Sequence, residues 1–395
     1  KPGATMHTNP QGGKKPRSVI VNAIPIVNVS TGIGRYILSL YKHIEKLYAD
    51  EWDIGYFDGA TLHHKLPLSA SNRRSKSTVN LLWKMPPLLA FLARSYLHSR
   101  RERRFMQHAA SFDLYHETSF FPFRTATPLP VVFTIHDISL YRFPAWHPKE
   151  RVMFYNRNFP RRLGNVAQFL SVSHFTKAEM IEWLHVDPAR VTVTQNAYDE
   201  AIFAPPSPAD VAAARARYAL PERYFLFVGS GDPRKNFRII PAALAHGGLD
   251  VPLVNVGWPG WLTEAPRDAS VINTGFVDDA DLAKLYAGAL ALIYPSIYEG
   301  FGLPVLEAMA CGCPVVTTRC ASLPEVGGEA ALYLERHDSE VGAAELAALL
   351  RRLAGDSSLV AELRARGLAR SRAFSWDRAA AETVVAFTKV LQASA

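Results

Sequence analysis

The chain has 395 residues, 48% hydrophobic and 20% charged, with a formal charge of +8. That is enough chain for two or three domains with sizeable cores, and the composition excludes a disordered protein. The basic surplus suits an anionic partner such as a nucleotide, a lipid head group or a nucleic acid. An odd, sparse set of cysteines (Cys311, Cys313 and Cys320) argues against a disulfide framework and for a reducing compartment. Their spacing fits no common zinc pattern, so small buried residues are expected.

Residues 1–17 lack an apolar centre and read as a basic flexible leader rather than a signal peptide. No run reaches the length of a membrane span, and a cytoplasmic protein is expected. From there strand-like and helix-like segments alternate, the pattern of an α/β fold with parallel sheets. A strand is expected over 19–24. The glycine turn Ser30-Thr-Gly-Ile-Gly-Arg-Tyr then leads into a helix over 36–48. Further strands are expected at 54–57, 114–116, 131–135, 169–172 and 191–194.

Between the second and third of these strands lies a basic and apolar stretch. Asn72-Arg-Arg-Ser-Lys and Ser99-Arg-Arg-Glu-Arg-Arg bracket Leu81, Leu82, Trp83, Leu88, Leu89, Phe91, Leu92, Tyr96 and Leu97. Lys84, Pro86, Pro87 and Arg94 exclude a transmembrane helix. Two readings stand: residues 72–104 dock on an anionic membrane, or their apolar face packs inward under a solvated basic rim. No nucleic-acid module accompanies the basic residues, so no nucleic-acid partner is expected.

The proline-rich Phe203-Ala-Pro-Pro-Ser-Pro has linker character. It divides a first domain (18–203) from a second (204–373). Each opens with strand, glycine turn and helix, and two Rossmann-like domains fit that echo. The second domain starts at Tyr224-Phe-Leu-Phe-Val-Gly, with strands expected at 253–256, 271–274, 291–294, 315–317 and 331–334. Residues 374–395 have helical periodicity.

The chemistry concentrates in Tyr294-Pro-Ser-Ile-Tyr-Glu-Gly-Phe-Gly-Leu-Pro-Val-Leu-Glu. An apolar strand feeds a glycine turn, and Pro304 suits a helix start. Glu299 lies in the loop and Glu307 about a turn inside the helix. Both face a mouth where free N–H groups and the helix dipole attract an anion. Two carboxylates beside an anion site suit a ligand with both hydroxyls and phosphate, and a nucleotide sugar is one. Upstream, Gly229-Ser-Gly-Asp-Pro-Arg-Lys follows a strand and carries the cations Arg234 and Lys235. Fixed cations would stabilise the charge that develops on a departing diphosphate. The alternative of a dinucleotide turn is weakened because strand 253–256 ends without the acid that would hold an adenosine ribose. Asp278, Asp279 and Asp281 read as a helix start, not a metal motif.

This string resembles the Glu-x7-Glu signature of the retaining glycosyltransferases of family 4, and the likeness runs from about Val19 to Lys389. The resemblance implies a GT-B fold, two Rossmann-like doubly wound domains around an interdomain cleft, with the last helix crossing back to the first domain and Trp376 as its anchor. It implies that Glu299 binds sugar hydroxyls and Glu307 the ribose. Gly300, Phe301 and Gly302 would help hold sugar and diphosphate through their backbone. Arg234 and Lys235 match the family's diphosphate loop, although many relatives place an arginine where Ser230 stands. Gly32 and Gly34 match a turn that approaches the donor phosphate, with the role of Arg35 left open. Gly275, Phe276 and Val277 would pair with the nucleobase. His136 would contact the transferred sugar, with Asp137 as an orienter or acceptor contact. His116 and His174 are weaker matches as cleft residues.

The implied reaction is metal-independent hexosyl transfer with retention. The Pro-Arg-Lys-Asn loop with the Glu-Gly-Phe-Gly string is most similar to mannosyltransferases that use GDP-mannose, which implies that donor, with UDP- or dTDP-sugars as the first alternative. The implied acceptor is a lipid-linked glycan of surface polysaccharide or lipopolysaccharide assembly, reached from the cytoplasmic face of the membrane. No cofactor is expected. The other class of reading is a nucleotide- or glycan-binding scaffold without turnover.

Overall fold

A computed structural model describes residues 16–28, 32–67, 86–257, 270–337 and 339–394. The strands are β1 (Arg17–Asn22), β2 (Trp52–Phe57), β3 (Leu62–His63), β4 (Leu114–Glu117), β5 (Val131–Ile135), β6 (Val166–Ser171) and β7 (Val191–Val193) in the first half. The second half has β8 (Phe225–Val228), β9 (Leu253–Val256), β10 (Val271–Gly275), β11 (Ala291–Tyr294), β12 (Val315–Thr318) and β13 (Ala331–Leu334). They form two sheets, ordered β3-β2-β1-β4-β5-β6-β7 and β10-β9-β8-β11-β12-β13. Among the described residues all strand pairings are parallel except that of the short β3 edge. The near-continuous apolar strands Val131–Ile135 and Ala291–Tyr294 are buried throughout, as strands covered on both faces by helices must be.

Strand order reverses between β1 and β4 in one sheet and between β8 and β11 in the other. In open α/β sheets, ligands collect beyond the carboxyl ends of strands at such switch points. The loops after β8 and β11 carry Arg234, Lys235 and Glu299.

Around the first glycine turn two boundaries differ from the sequence-based expectation. The first strand ends at Asn22, and Ile24–Asn28 is helical, because the chain turns at Ala23, whose N–H donates to Phe57 O at 2.8 Å. The following helix begins at Gly32 rather than Tyr36. Ser30 and Thr31 of that turn, residues 72–76 and Leu81–Lys84 lie outside the described residues, as does most of the expected leader.

The Trp376–Ser394 helix packs on the Gly32–Tyr48 helix and the first sheet. The Trp376 ring meets Tyr36 edge-on at 5.9 Å, and Phe387 lies 5.4 Å from Trp52 and 5.2 Å from His116. One buried apolar cluster runs from Tyr36 and Trp52 through Phe387 to Val305 and Leu306. The C-terminal helix thus belongs to the first half's surface while its chain leaves the second. Cys311 and Cys313 are buried and Cys320 is half-buried, all as free thiols.

Candidate active site

The loop after β8 is shaped by Asp232, whose carboxylate accepts the N–H of Arg234 at 3.0 Å and caps a single 3₁₀ turn. The turn aims Lys235 back across the sheet. Its Nζ donates to Glu299 Oε1 and to Tyr294 Oη, both at 2.5 Å. Tyr294 Oη and Ser296 Oγ also reach Glu299 Oε1, at 2.9 and 2.5 Å. Arg234 O accepts from Ile297 N at 2.9 Å, so the two loops are stitched together. All these partners use one carboxylate oxygen. Glu299 Oε2 has no partner among the described residues. The group is therefore clamped at one end and open at the other, which is what binding a sugar hydroxyl requires.

Gly302 sits at φ 105° and starts the Leu303–Ala310 helix, a conformation that favours glycine. The N–H groups of Gly300, Phe301 and Gly302 have no partner among the described residues, while their turn's carbonyls do. Ser322 Oγ donates to Glu299 O and Phe301 O at 2.9 and 2.8 Å. Free N–H groups at a helix start form an anion site. The Phe301 side chain is buried against Phe374, so only its backbone faces this region.

Glu307 is buried one turn further on. Its Oε1 accepts from Arg35 Nη1 at 2.9 Å and its Oε2 from Tyr286 Oη at 3.3 Å. Arg35 is also paired with Asp279. Burial pushes the Glu307 pKa up, outweighing the opposite pull of Arg35. Burial disfavours the Arg35 charge as well, but Glu307 and Asp279 outweigh it and its pKa rises. Arg35 comes from the first half, so Glu307 is completed across the gap. A Cβ on the neighbouring Gly32 would meet nothing within 4 Å, which leaves space at that turn.

His136 and Asp137 lie just beyond β5, facing the Glu299 loop. A Cβ at Gly300 would come within 1.7 Å of His136 O, and Gly300 O accepts from Ser173 Oγ at 2.6 Å. Glycine is needed at 300 because the first half approaches so closely. His136 Nε2 lies 3.0 Å from Thr118 O and must donate to it. Burial pushes its pKa down to about 4, so the ring is neutral near pH 7 and Nδ1 is an acceptor. Asp137 accepts from Ser139 N at 2.9 Å and from Arg234 Nη1 at 3.2 Å. Burial would raise its pKa, but Arg234 holds it below the usual carboxylate range. Asp137 and Arg234 thus act as a strap between the halves. The Arg234 guanidinium is taken by Asp137 and Asp232 (2.8 Å), and Lys235 stands nearer the open carboxylate.

At the far edge, Gly275 has φ 72° and its carbonyl accepts from Gly257 N at 2.9 Å. Val277 is buried, and Phe276 is 70% exposed beside the strand end. Asp278 caps the Asp279–Gly288 helix through Asp281 N at 2.9 Å, and Asp281 pairs with Lys284 and Arg217. No acid or histidine cluster able to hold a metal occurs among the described residues. His116 is not a cleft residue: it is fully buried between Tyr41 Oη (2.5 Å) and Thr134 Oγ1 (2.8 Å). His174 opens a helix, and its N–H donates to Glu325 Oε2 at 2.9 Å.

Sequence reasoning left Arg35 without a role and missed Ser296, Tyr286 and Glu325. Ser296 stands in the quoted string, three residues before Glu299, but its contact depends on loop curvature. Glu325 spans the halves by accepting His174 N, Phe175 N and Gln195 Nε2, and nothing near it in sequence signals that.

Residues 30–201 match a family model described as Glycosyltransferase Family 4, and residues 222–352 match one described as Glycosyl transferases group 1. The chain is 33% identical over 391 residues to the O-antigen chain mannosyltransferase B of Escherichia coli, covering 93% of this chain and 99% of that protein. It is 30% identical over 240 residues to the serotype-specific mannosyltransferase WbdA of the same species, covering 57% of this chain and 29% of that one. Among solved structures, Anabaena Alr3699/HepE in complex with UDP and glucose superposes with a TM-score of 0.67 at 17% identity, covering 95% of this chain and 100% of that chain. WaaG, a glycosyltransferase involved in lipopolysaccharide biosynthesis, superposes at 0.64 with 13% identity, covering 93% and 98%. The fold is GT-B, and the chain belongs to the family 4 glycosyltransferases.

Proposed function

We propose that this enzyme transfers mannose from GDP-mannose, with retention, to a hydroxyl of a lipid-linked glycan in surface polysaccharide assembly. The observation that carries the reading is Glu299, clamped through Oε1 by Lys235, Tyr294 and Ser296 and open at Oε2. Oε2 takes a sugar hydroxyl. Lys235 and the N–H groups of Gly300 to Gly302 take the diphosphate and stabilise it as it leaves. Neutral His136 accepts a sugar hydroxyl proton through Nδ1. Glu307 binds the ribose, and the Gly275–Val277 turn with the Phe276 face takes the base. The acceptor hydroxyl enters on the side from which the diphosphate departs and gives its proton to the leaving phosphate oxygen. No protein nucleophile or metal is needed on this route. The mannosyl assignment is supported by the two relatives whose names carry that activity.

The same reading includes an anionic membrane surface. No described helix is long and apolar enough to cross a membrane. The Pro87–Ala109 helix buries Ala90, Phe105 and Ala109 and exposes Leu88, Leu89, Leu92 and Tyr96. Arg100 and Arg103 continue that face. Apolar side chains followed by arginines suit insertion at an anionic head-group layer, each cation adding about 1 kcal/mol.

The decisive assay offers GDP-mannose, UDP-glucose and dTDP-glucose in parallel and follows sugar release or transfer. GDP-mannose turnover that is lost in Glu299→Ala supports the reading. Turnover of a UDP- or dTDP-sugar alone replaces the donor, and an active parent matched by Glu299→Ala removes the site. Flotation with anionic liposomes should weaken when Arg100 and Arg103 are neutralised, and unchanged flotation rejects the surface.

A further inference from the structure

The cations around the site have partners: Arg35 with Glu307 and Asp279, Arg234 with Asp137 and Asp232, Lys235 with Glu299. Arg151 is different. It stands in the first turn of the Lys149–Leu163 helix, half-buried, and its side chain makes no ion pair or hydrogen bond with a described residue. Its Nε is enclosed, without a partner among the described residues. Buried donors in folded proteins are nearly always satisfied, by protein, water or ligand. Burial and the neighbouring Arg94 push its pKa down to about 10, against the opposite pull of Glu150 and Asp232. The nearest acid in sequence, Glu150, is held by Arg94 at 3.2 Å.

The same helix start offers a second, independent feature. Its N-cap is Pro148, which supplies no side-chain cap. Pro148 O accepts the N–H groups of Arg151 and Val152 at 3.0 and 3.1 Å, so among the described residues the N–H groups of Lys149 and Glu150, with the positive end of the dipole, remain for an anion. The location is fixed by hydrogen bonds. Ser139 Oγ lies 3.3 Å from Arg234 Nη1 and 3.1 Å from His147 Nε2, and His147 immediately precedes Pro148. Arg151 therefore lies beside the strap that joins the halves, but on the first half.

We propose that Arg151 and the start of its helix bind a phosphate or diphosphate group of the acceptor, at a site separate from the Lys235 loop. The proposal rests on the reading of a lipid-linked acceptor. The donor diphosphate has its own groups in the second half, whereas the Arg151 helix packs against the Pro87–Ala109 helix with its exposed leucines. An anionic group held there would join the glycan end, near His136, to the lipid end.

Two acceptors carrying the same glycan, one on a lipid diphosphate and one on an uncharged alkyl chain, provide the test. The preference for the diphosphate acceptor, read as a ratio of kcat/KM values, should fall on the order of tenfold in Arg151→Met. Arg151→Lys should recover part of it. An unchanged ratio overturns the proposal. So does a rise in donor KM with the acceptor ratio intact, which would give the oxyanion to the donor. A second arm needs no knowledge of the donor: inorganic pyrophosphate is titrated by calorimetry into Lys235→Met, which removes the cation of the donor loop. Binding that remains there and disappears in the Lys235→Met, Arg151→Met double variant supports the site. Binding that survives the double change, or none in Lys235→Met, rejects it. Failure of GDP-mannose as donor leaves this arm readable.

Discussion

The two carboxylates of the Glu-x7-Glu string are held in different ways. Glu299 takes every partner from its own half: Lys235, Tyr294 and Ser296. Glu307 shares one oxygen with Tyr286 of its own half and the other with Arg35 of the opposite half. A group clamped within one domain keeps its geometry whatever the other domain does. A group clamped across a gap has that geometry only when the halves meet. On the proposed assignment, the sugar end would be preorganised by local packing, and the nucleoside end would be completed only where the halves meet. Fixed dipoles that need not rearrange contribute most to catalysis, so the reacting end is where such local clamping matters.

The largest effect expected from this contrast is at Lys235. Lys235→Ala should lower kcat on the order of 10²–10³-fold while leaving the circular dichroism spectrum unchanged. A smaller loss than in Arg35→Ala would invert the contrast. Gly300→Ala comes next, because its Cβ would fall 1.7 Å from His136 O. The halves must part, and misplacement by about 1 Å is expected to cost roughly 10²-fold in rate. Small-angle scattering should show a larger radius, and an active, equally compact variant would refute the need for close approach. Arg35→Ala should weaken nucleotide binding by about tenfold and spare kcat, as loss of a group acting on binding does. A double-mutant cycle with Asp279→Asn should give a coupling of about 0.5–3 kcal/mol, and additivity would remove Arg35 from the nucleoside end.

The smallest effect near neutrality is on stability. Burial lowers the pKa of His136 and His98 to about 4 and of His116 to about 3. An unfolded chain, with an ordinary histidine pKa near 6.5, binds more protons below that pH. The stabilising contribution is therefore present above about pH 6.5 and is lost as pH falls toward 4. The melting temperature should drop through that window, and less in His136→Asn. A flat profile would mean that these rings are not buried neutral.

Much of this was legible in the chain. Strands Val131–Ile135, Leu253–Val256, Ala291–Tyr294 and Ala331–Leu334 fall where the apolar runs stand, because a short β-rich run between turn residues has few other uses. The helix start marked by Pro304 and the cap at Asp278 were legible for the same local reason. The cross-half partners were not. Arg35 and Glu307 are 272 residues apart, and Glu325 and His174 151 apart. A charged residue at a helix start reads as a solvated one until its partner's position is known.

The sequence by itself determined the alternating α/β architecture, the helix and turn geometry around Glu299 and Glu307, and the family. Hydrophobic period, glycine freedom and capping are local, and they act over a few residues. Only the tertiary structure decided which cation meets which acid, that Asp137 straps Arg234, that Gly300 must lack a side chain against His136, and that Arg151 is left unpaired among the described residues. Those outcomes depend on how two separate sheets are set against each other, and Coulomb and steric terms act on distance in space rather than along the chain.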